Sequence, residues 1–486
     1  MSLKENLISI VGSERVFDEG EILEANSRDY SLSTPAKPGY VVRAQTAEEI
    51  QKILKLANET PVPVTPRSSG VHFSGNTIPV QAGIVLDLSA MNKILEIDDR
   101  NRMVRVEPGV TWGQLQNKLA EADMMALSPL LPHPLKSVMT SHLEREPHLI
   151  PKFEYTDSLV TMELVLPDGE IFRTGSACVP GYPGKSMADG VNPSGPGDFM
   201  WNRIFTGAQG TLGIATWVKC KIEYRTKLNR TFFIPFSQLA NAVQFIYRIQ
   251  RRQVGEECLL LNKVNLAAVL GSRLPQSIAS IKKSLSPWTV IMVLGGGKRL
   301  PERKIQYEET ALKEVADDLS IGTLNTSLPG LPGADALFPD ILRDPSFAGK
   351  RYWKFASRGA CEDLFFLTTL NTASKLHKIV RDKLGNCGIS EANTGIYIQP
   401  LVYGGACHME YNIFYDGNNK EQRAKVKNFY MDAATMLLEQ GAFFSRPYGP
   451  IAGLVFNRAA NTTEILKRLK RVFDPNNVMS PGRLCF

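Results

Sequence analysis

Val62-Pro63-Val64-Thr65-Pro66-Arg67-Ser68-Ser69-Gly70-Val71-His72-Phe73-Ser74-Gly75-Asn76 is a short β-rich run that opens into a loop of small residues. Gly70 and Gly75 tolerate positive φ and the serines leave room for close approach, so such a loop can turn several consecutive backbone N–H groups inward. That makes a nest for a pyrophosphate, carried on a hairpin from Arg67 to Gly75. The stretch lacks the Gly-Lys-Ser/Thr of a Walker phosphate loop and the Gly-x-Gly-x-x-Gly order of a Rossmann fingerprint. A surface turn between two strands would look much the same, so the surroundings decide.

Gly83 to Leu88 reads as a buried strand, Ile94 to Asp98 and Met103 to Val106 as two more, the last closing on Glu107-Pro108-Gly109-Val110. A helix then starts at Thr111, where Thr111 and Gln114 form a capping-box pattern and Leu115 and Leu119 supply a buried face. This order of strand, small-residue loop, strands, Pro-Gly turn and helix resembles the FAD-binding domain of the vanillyl-alcohol oxidase and p-cresol methylhydroxylase (PCMH) superfamily. The resemblance implies an α+β protein: a PCMH-type FAD-binding domain of two α/β subdomains, plus an α+β cap whose antiparallel sheet is covered by helices. It implies FAD rather than a nicotinamide cofactor, with the diphosphate held by Pro66, Arg67, Ser68, Ser69, Gly70, Val71, His72 and Phe73. Pro108, Gly109, Ser137, Val138, Ser141 and His142 are the further cofactor contacts it implies.

Two other segments carry the resemblance through the chain. Phe205-Thr206-Gly207-Ala208-Gln209-Gly210-Thr211-Leu212-Gly213-Ile214 is similar to the family's Gly-rich turn beside the adenosine half of FAD, which makes Gly207, Gly210, Gly213 and Ile214 cofactor residues. Phe473-Asp474-Pro475-Asn476-Asn477-Val478-Met479-Ser480-Pro481-Gly482-Arg483 is similar to the Asp-Pro-Asn…Pro-Gly-Lys/Arg element that returns to the flavin domain, with Arg483 a candidate for the flavin end.

Tyr155-Thr156-Asp157-Ser158, followed by Met162 to Gly175, is similar to the 4-alkylphenol oxidising branch, whose Tyr-Gly-Asp-His segment precedes a strand-turn-strand. The branch's Asp lies by flavin N5 as acid/base or as partner of a cationic intermediate, and Asp157 is the position that matches; an Asp capping a turn is the plainer reading. Gly441-Ala442-Phe443-Phe444-Ser445-Arg446-Pro447 is similar to the branch's Gly-x-Gly-x-Tyr-Arg-Thr, so Arg446 falls on the Arg by the flavin pyrimidine ring and Ser445 replaces a phenolate-binding Tyr. Phe73 stands where the other phenolate-binding Tyr is expected. Losing both hydroxyls makes simple 4-alkylphenols doubtful substrates. A guanidinium about 4 Å from the charge growing on a reduced flavin is worth roughly 4 kcal/mol at an effective dielectric near 20. Arg446 could equally clamp a substrate carboxylate or lie on the surface.

Cys407 to Phe414 reads as a strand, which puts His408 and Glu410 on one face. The related oxidases have apolar residues near Glu410, so a pocket-facing Glu410 would be an added carboxylate: a second base, a partner for Arg446 or an acceptor for a hydroxylated substrate. A solvent-facing strand edge is the alternative. The expected substrate pocket comprises Phe73, Tyr155, His408, Glu410, Ser445 and Tyr448. No third metal ligand stands at suitable spacing from His408 and Glu410, and the His-rich motif of D-lactate dehydrogenases is missing, so no metal is expected. Gly359 to Phe366 has neither the His nor the Tyr that tethers flavin in relatives, so FAD is expected to bind without a covalent link. Ser137-Val138-Met139-Thr140-Ser141-His142 departs from the family's Gly-Asn at that point.

The whole chain has the composition of an ordered enzyme: 486 residues, 43% hydrophobic, enough for two or three domains. The expected division is 1–225 for the FAD-binding domain, 226–445 for the cap and 446–486 for the returning segment. The cap reads as helices Phe236–Gln253, Ile305–Leu319, Thr372–Leu384 and Glu421–Gln440 between strands such as Trp288–Leu294 and Gly395–Pro400, with Pro- and Gly-rich Leu324–Lys350 a long loop and candidate lid. The net charge of +7 comes from interspersed residues, so neither a nucleic acid nor a membrane surface is indicated. Seven cysteines without Cys-x-x-Cys pairs point to reduced thiols, and with no signal-peptide pattern and no apolar run of membrane-spanning length the expected location is cytoplasmic. The expectation is an FAD-dependent oxidoreductase moving a hydride from an activated C–H of a small-molecule substrate to flavin N5. A 2-hydroxyacid dehydrogenase and a non-catalytic flavin subunit of a complex are the alternatives. Oxygen, a cytochrome or an electron-transfer protein stay open as acceptor, as does a homo-oligomer.

Overall fold

The computed structural model describes residues 1–150, 158–179, 189–322, 324–344 and 351–486, and its strands form three sheets. The first has β1 (Val16–Phe17), β2 (Tyr40–Arg43), β3 (Val64–Arg67) and β4 (Ile84–Asp87) in the order β1-β2-β4-β3. β3 and β4 run parallel. The loop between them is therefore a crossover and not the hairpin expected, because its ends must lie at opposite ends of paired strands. The helix Ala47–Glu59 starts where Thr46 Oγ1 accepts from the Glu49 amide at 3.2 Å, and Ile50, Ile53, Leu54 and Ala57 recur at helical spacing to cover this sheet.

The second sheet is antiparallel and takes β5 (Ile94–Asp98), β6 (Met103–Val106), β7 (Met124–Ala126), β8 (Leu159–Val165), β9 (Ile171–Arg173) and β10 (Ile214–Tyr224) in the order β5-β6-β10-β8-β9, with β7 on the far end of β10. The helix Trp112–Glu121 covers it, opened by Thr111 Oγ1 accepting from the Gln114 amide at 3.3 Å.

The third sheet, also antiparallel, runs β11-β13-β12-β15-β16-β14, from β11 (Leu228–Phe236), β12 (Glu257–Asn262), β13 (Trp288–Gly296), β14 (Ala360–Thr368), β15 (Thr394–Leu401) and β16 (Ala406–Tyr415). Alternation divides its side chains between two cores. Phe232, Ile234, Met292, Ile398, Met409, Tyr411 and Ile413 face the helices Leu239–Arg252, Pro301–Asp318, Leu370–Asn386 and Lys420–Glu439. Phe233, Ile291, Val293, Tyr397 and Phe414 face the other way, toward Leu130, Leu131 and Leu149. Among the described residues no helix is long and apolar enough to cross a membrane.

The expected loop and lid at Leu324–Lys350 is corrected by the helix Ala334–Arg343. Phe338, Ile341 and Leu342 bury one face of it, and Arg343 grips the buried Glu257 carboxylate with Nε at 2.6 Å and Nη2 at 2.8 Å. Pro339 lies inside the helix and has no N–H for the Asp335 carbonyl. Thr231 Oγ1 on β11 donates to that carbonyl instead, at 2.9 Å. Residues 345–350 of the expected loop lie outside the described residues.

The chain's last turns return to the first sheet. The Val64 amide donates to the Val478 carbonyl at 2.7 Å and the Ser480 amide to the Val64 carbonyl at 2.9 Å. Asp474 fixes the turn by accepting from the Val478 and Met479 amides at 3.0 and 2.8 Å.

Candidate active site

Two cavities meet behind the loop that follows β3. The smaller, about 120 Å³, is lined by Pro66 and Ser68 from that loop, Pro108 from the Pro-Gly turn, and Gly210, Gly213 and Ile214 from the Gly-rich turn. The larger, about 530 Å³, runs beneath the third sheet. His72 and Glu144 line both.

Strand alternation builds one wall of the larger cavity. With Met409, Tyr411 and Ile413 committed to the helix side, the intervening His408, Glu410 and Asn412 face the other way. Register sets Glu410 opposite Phe365 on β14 and Tyr397 on β15, and Asn412 opposite Asp363. β16 is an interior strand, so Glu410 is not at a solvent edge. Lys354 lies between two carboxylates, paired with Asp363 and 2.8 Å from Glu410 Oε1. Asn412 Nδ2 donates to both, at 2.7 Å to Glu410 Oε1 and 2.7 Å to Asp363 Oδ1. Burial opposes the charge on Glu410, but Lys354 and His408 hold its carboxyl well below the usual range. Burial likewise opposes the charge on Lys354, and Asp363 and Glu410 hold its pKa well above the ordinary value.

A second ionic group gathers at the two ends of the helix Val138–Leu143. Lys136 pairs with Glu146, Glu144 lies 3.9 Å from Lys136, and Arg446 Nη1 is 3.9 Å from Glu146 Oε1. The Arg446 guanidinium also sits over the Phe365 ring, 4.2 Å from its centroid. Burial disfavours the Glu146 carboxylate, yet Lys136 and Arg446 bring its pKa down to about 2. Glu144 goes the other way: burial raises its carboxyl pKa, and Tyr448 is its hydrogen-bond partner. A third wall is aromatic. Phe73 lies 5.9 Å from Tyr352 and His133 4.9 Å from Tyr352, with Tyr30 stacked behind Phe73 at 5.5 Å.

Of the site residues read from sequence, Phe73, His408, Glu410, Arg446, Tyr448 and Arg483 converge on the larger cavity. Ser445 contributes only its carbonyl, which accepts from Arg145 Nη2 at 3.4 Å. Arg483 Nη2 spans the loop after β3, donating to the Gly75 carbonyl at 2.7 Å and to the Ile78 carbonyl. Gly109 packs on the Met91 carbonyl, Val138 joins the core of the second sheet, and Ser137 caps the helix Val138–Leu143. Ser141 accepts from Trp112 Nε1 at 3.0 Å, His142 Nδ1 is 2.9 Å from Ser158 Oγ, and Gly207 turns beneath Arg145. Tyr155 and Asp157 lie outside the described residues. Lys136, Glu144, Glu146, Tyr352, Lys354 and Asp363 were not read from sequence, since isolated polar residues look like solvated surface until their distant partners are placed.

Residues 38–175 match the FAD binding domain family and residues 451–484 the C-terminal domain of FAD linked oxidases. Over 99% of its length the chain is 23% identical to glycolate oxidase subunit GlcD of Bacillus subtilis, covering 96% of that protein. A stretch of 147 residues, 30% of this chain, is 36% identical to 28% of the 4-cresol dehydrogenase (hydroxylating) flavoprotein subunit of Pseudomonas putida. The solved structure of p-cresol methylhydroxylase with substrate bound superimposes with a TM-score of 0.85 at 21% identity, covering 99% of this chain and 96% of that one. The chain has the PCMH-type FAD-binding fold.

It is an FAD-linked oxidoreductase. Its residues fit the cofactor. No hydrogen bond joins the backbone amides of Ser68 to Ser74 to any described residue. Arg67 Nη1, Ser69 Oγ, His72 Nε2, both Asn76 side-chain polar atoms and Thr77 Oγ1 are buried without a partner among the described residues. Buried polar groups are normally paired, so this concentration in one loop marks a missing polar ligand. Gly75, at φ +78°, could not carry a side chain, because a Cβ would collide with Ser33 Oγ. Burial, with Arg67 and Lys136 adding to it, drops the His72 pKa to about 3, which leaves the imidazole neutral where the two cavities join.

Proposed function

We propose that this enzyme takes a hydride from an activated C–H of a small hydroxyaromatic molecule held in the larger cavity. The observation that carries the reading is the pairing of an aromatic wall, Phe73, His133 and Tyr352, with the polar strand face of His408 and Glu410. FAD, held by the loop from Pro66 to Phe73 and the Gly-rich turn, supplies a two-electron acceptor there. Arg446 is the group that offsets negative charge on the reduced cofactor, and Glu146 and Phe365 fix its guanidinium. Asp157 enters from its sequence context as acid/base or as the partner of positive charge on the substrate. Tyr352 is a neutral donor, since burial raises its pKa.

A second reading, oxidation of a 2-hydroxyacid with Arg446 clamping the carboxylate, draws support from the end-to-end similarity to a glycolate oxidase subunit. Anaerobic mixing of the yellow protein with 4-hydroxybenzyl alcohol, vanillyl alcohol, D-lactate or glycolate separates them. Bleaching by the aromatic compounds alone is expected, and bleaching by D-lactate or glycolate alone moves the assignment to the second reading. If no small molecule bleaches the protein but a partner flavoprotein or cytochrome does, the chain is an electron-relay subunit. Acid precipitation of the same sample should release the colour to the supernatant, as untethered FAD does.

A further inference from the structure

His408 is 2% exposed, lines the larger cavity, and has Nε2 3.0 Å from Glu410 Oε2. A carboxylate only accepts, so Nε2 carries the ring proton and Nδ1 keeps a lone pair. That Nδ1 is buried and has no hydrogen-bond partner among the described residues. The ring cannot turn freely between Phe365 at 5.9 Å and Tyr397 at 5.6 Å. Glu410 is fixed in turn by Lys354 and by Asn412, whose own Oδ1 accepts from Asn265 Nδ2 at 2.6 Å. Charge completes the device. Lys354 is one cation between two carboxylates, Asp363 and Glu410, and Glu410 is the one that touches the imidazole.

We propose that His408 is a base of this enzyme, its Nδ1 taking the proton from a hydroxyl group of the substrate, with Glu410 as its positioning residue. The substrate O–H bond breaks, its electron pair stays on oxygen, and an N–H bond forms at Nδ1; no electron is gained or lost. The Glu410 carboxylate offsets the imidazolium that results. Sequence context puts proton handling on Asp157 and leaves Glu410 open as a second base; the strand face instead offers His408, with a defined tautomer. The assignment rests on the larger cavity being the substrate site, and it narrows the substrate to compounds with a hydroxyl that reaches Nδ1.

The test uses the FAD-loaded protein and two ligands of similar size that lack an oxidisable C–H, phenol and fluorobenzene, titrated by perturbation of the flavin spectrum. Phenol should bind about tenfold more tightly, the increment of one good hydrogen bond. His408→Leu should abolish that preference while the protein stays yellow. Equal binding of the two ligands to the unaltered protein, or a phenol preference that survives His408→Leu, overturns the proposal and leaves the aromatic reading standing. If neither ligand perturbs the flavin, the aromatic reading falls and the proposal falls with it. Isotope-edited histidine NMR gives a readout of Glu410 that a merely structural role would not move. With six histidines in the chain, the His408 signal, identified by its loss in His408→Leu, should report an unprotonated Nδ1, and Glu410→Leu should mix the tautomers. A protonated Nδ1 in the unaltered protein would refute the assignment.

Discussion

Arg446 illustrates how one side chain can be tested apart from its scaffold. Its charge is buried against Phe365 and faces Glu146, so its influence falls on the cavity and not on solvent. Arg446→Gln should retain FAD and slow flavin reduction about a hundredfold, within the roughly 4 kcal/mol available at 4 Å. Stopped-flow bleaching measures it, and an unchanged rate would remove Arg446 from the chemistry. His142 predicts a pH response. Burial, reinforced by His148, takes its pKa to about 3 in the folded state, against about 6.5 when unfolded. The unfolded chain therefore binds the proton first as pH falls. The stabilisation it contributes is complete above about pH 6.5 and is lost on the way down to 3, at about 1.4 kcal/mol per pH unit. Urea midpoints at neutral pH and near pH 5 should show a steeper acid loss for the unaltered protein than for His142→Gln.

Elements with strong patterning were legible before any coordinates: the capped helix after Thr111 and the strand carrying His408 and Glu410 both form where their spacing puts them. The helix Ala334–Arg343 was not, because Gly330, Gly333 and Pro339 read as loop chemistry while the compensation sits far away in sequence, on Thr231. Thr231→Val tests that compensation. It keeps the shape and leaves the Asp335 carbonyl unpaired, so a loss of about 1 kcal/mol is expected in urea unfolding. The ionic groups were illegible for a related reason. Glu144, Arg145 and Glu146 look like a solvated charge run until Lys136 and Arg446 are folded against them. Local sequence can say which face a strand residue takes, but not which distant charge will neutralise it.

Across the whole molecule, three sheets supply one site. The first contributes the loop after β3, the second the turns around the smaller cavity, and the third the polar face of β14, β15 and β16. Arg483 joins the loop to the far end of the chain through the Gly75 and Ile78 carbonyls. Arg483→Ala should weaken FAD retention about tenfold without unfolding the protein, seen as free-flavin fluorescence appearing on dilution. Retention equal to that of the unaltered protein would show that the loop holds its shape unaided. The same closure sets an order of events during synthesis. Val64 meets Val478 and Ser480 across more than four-fifths of the sequence, so a nascent chain still missing those residues on the ribosome has an unfinished nucleotide groove. Flavin capture is therefore expected only after the last of these residues emerges from the exit tunnel.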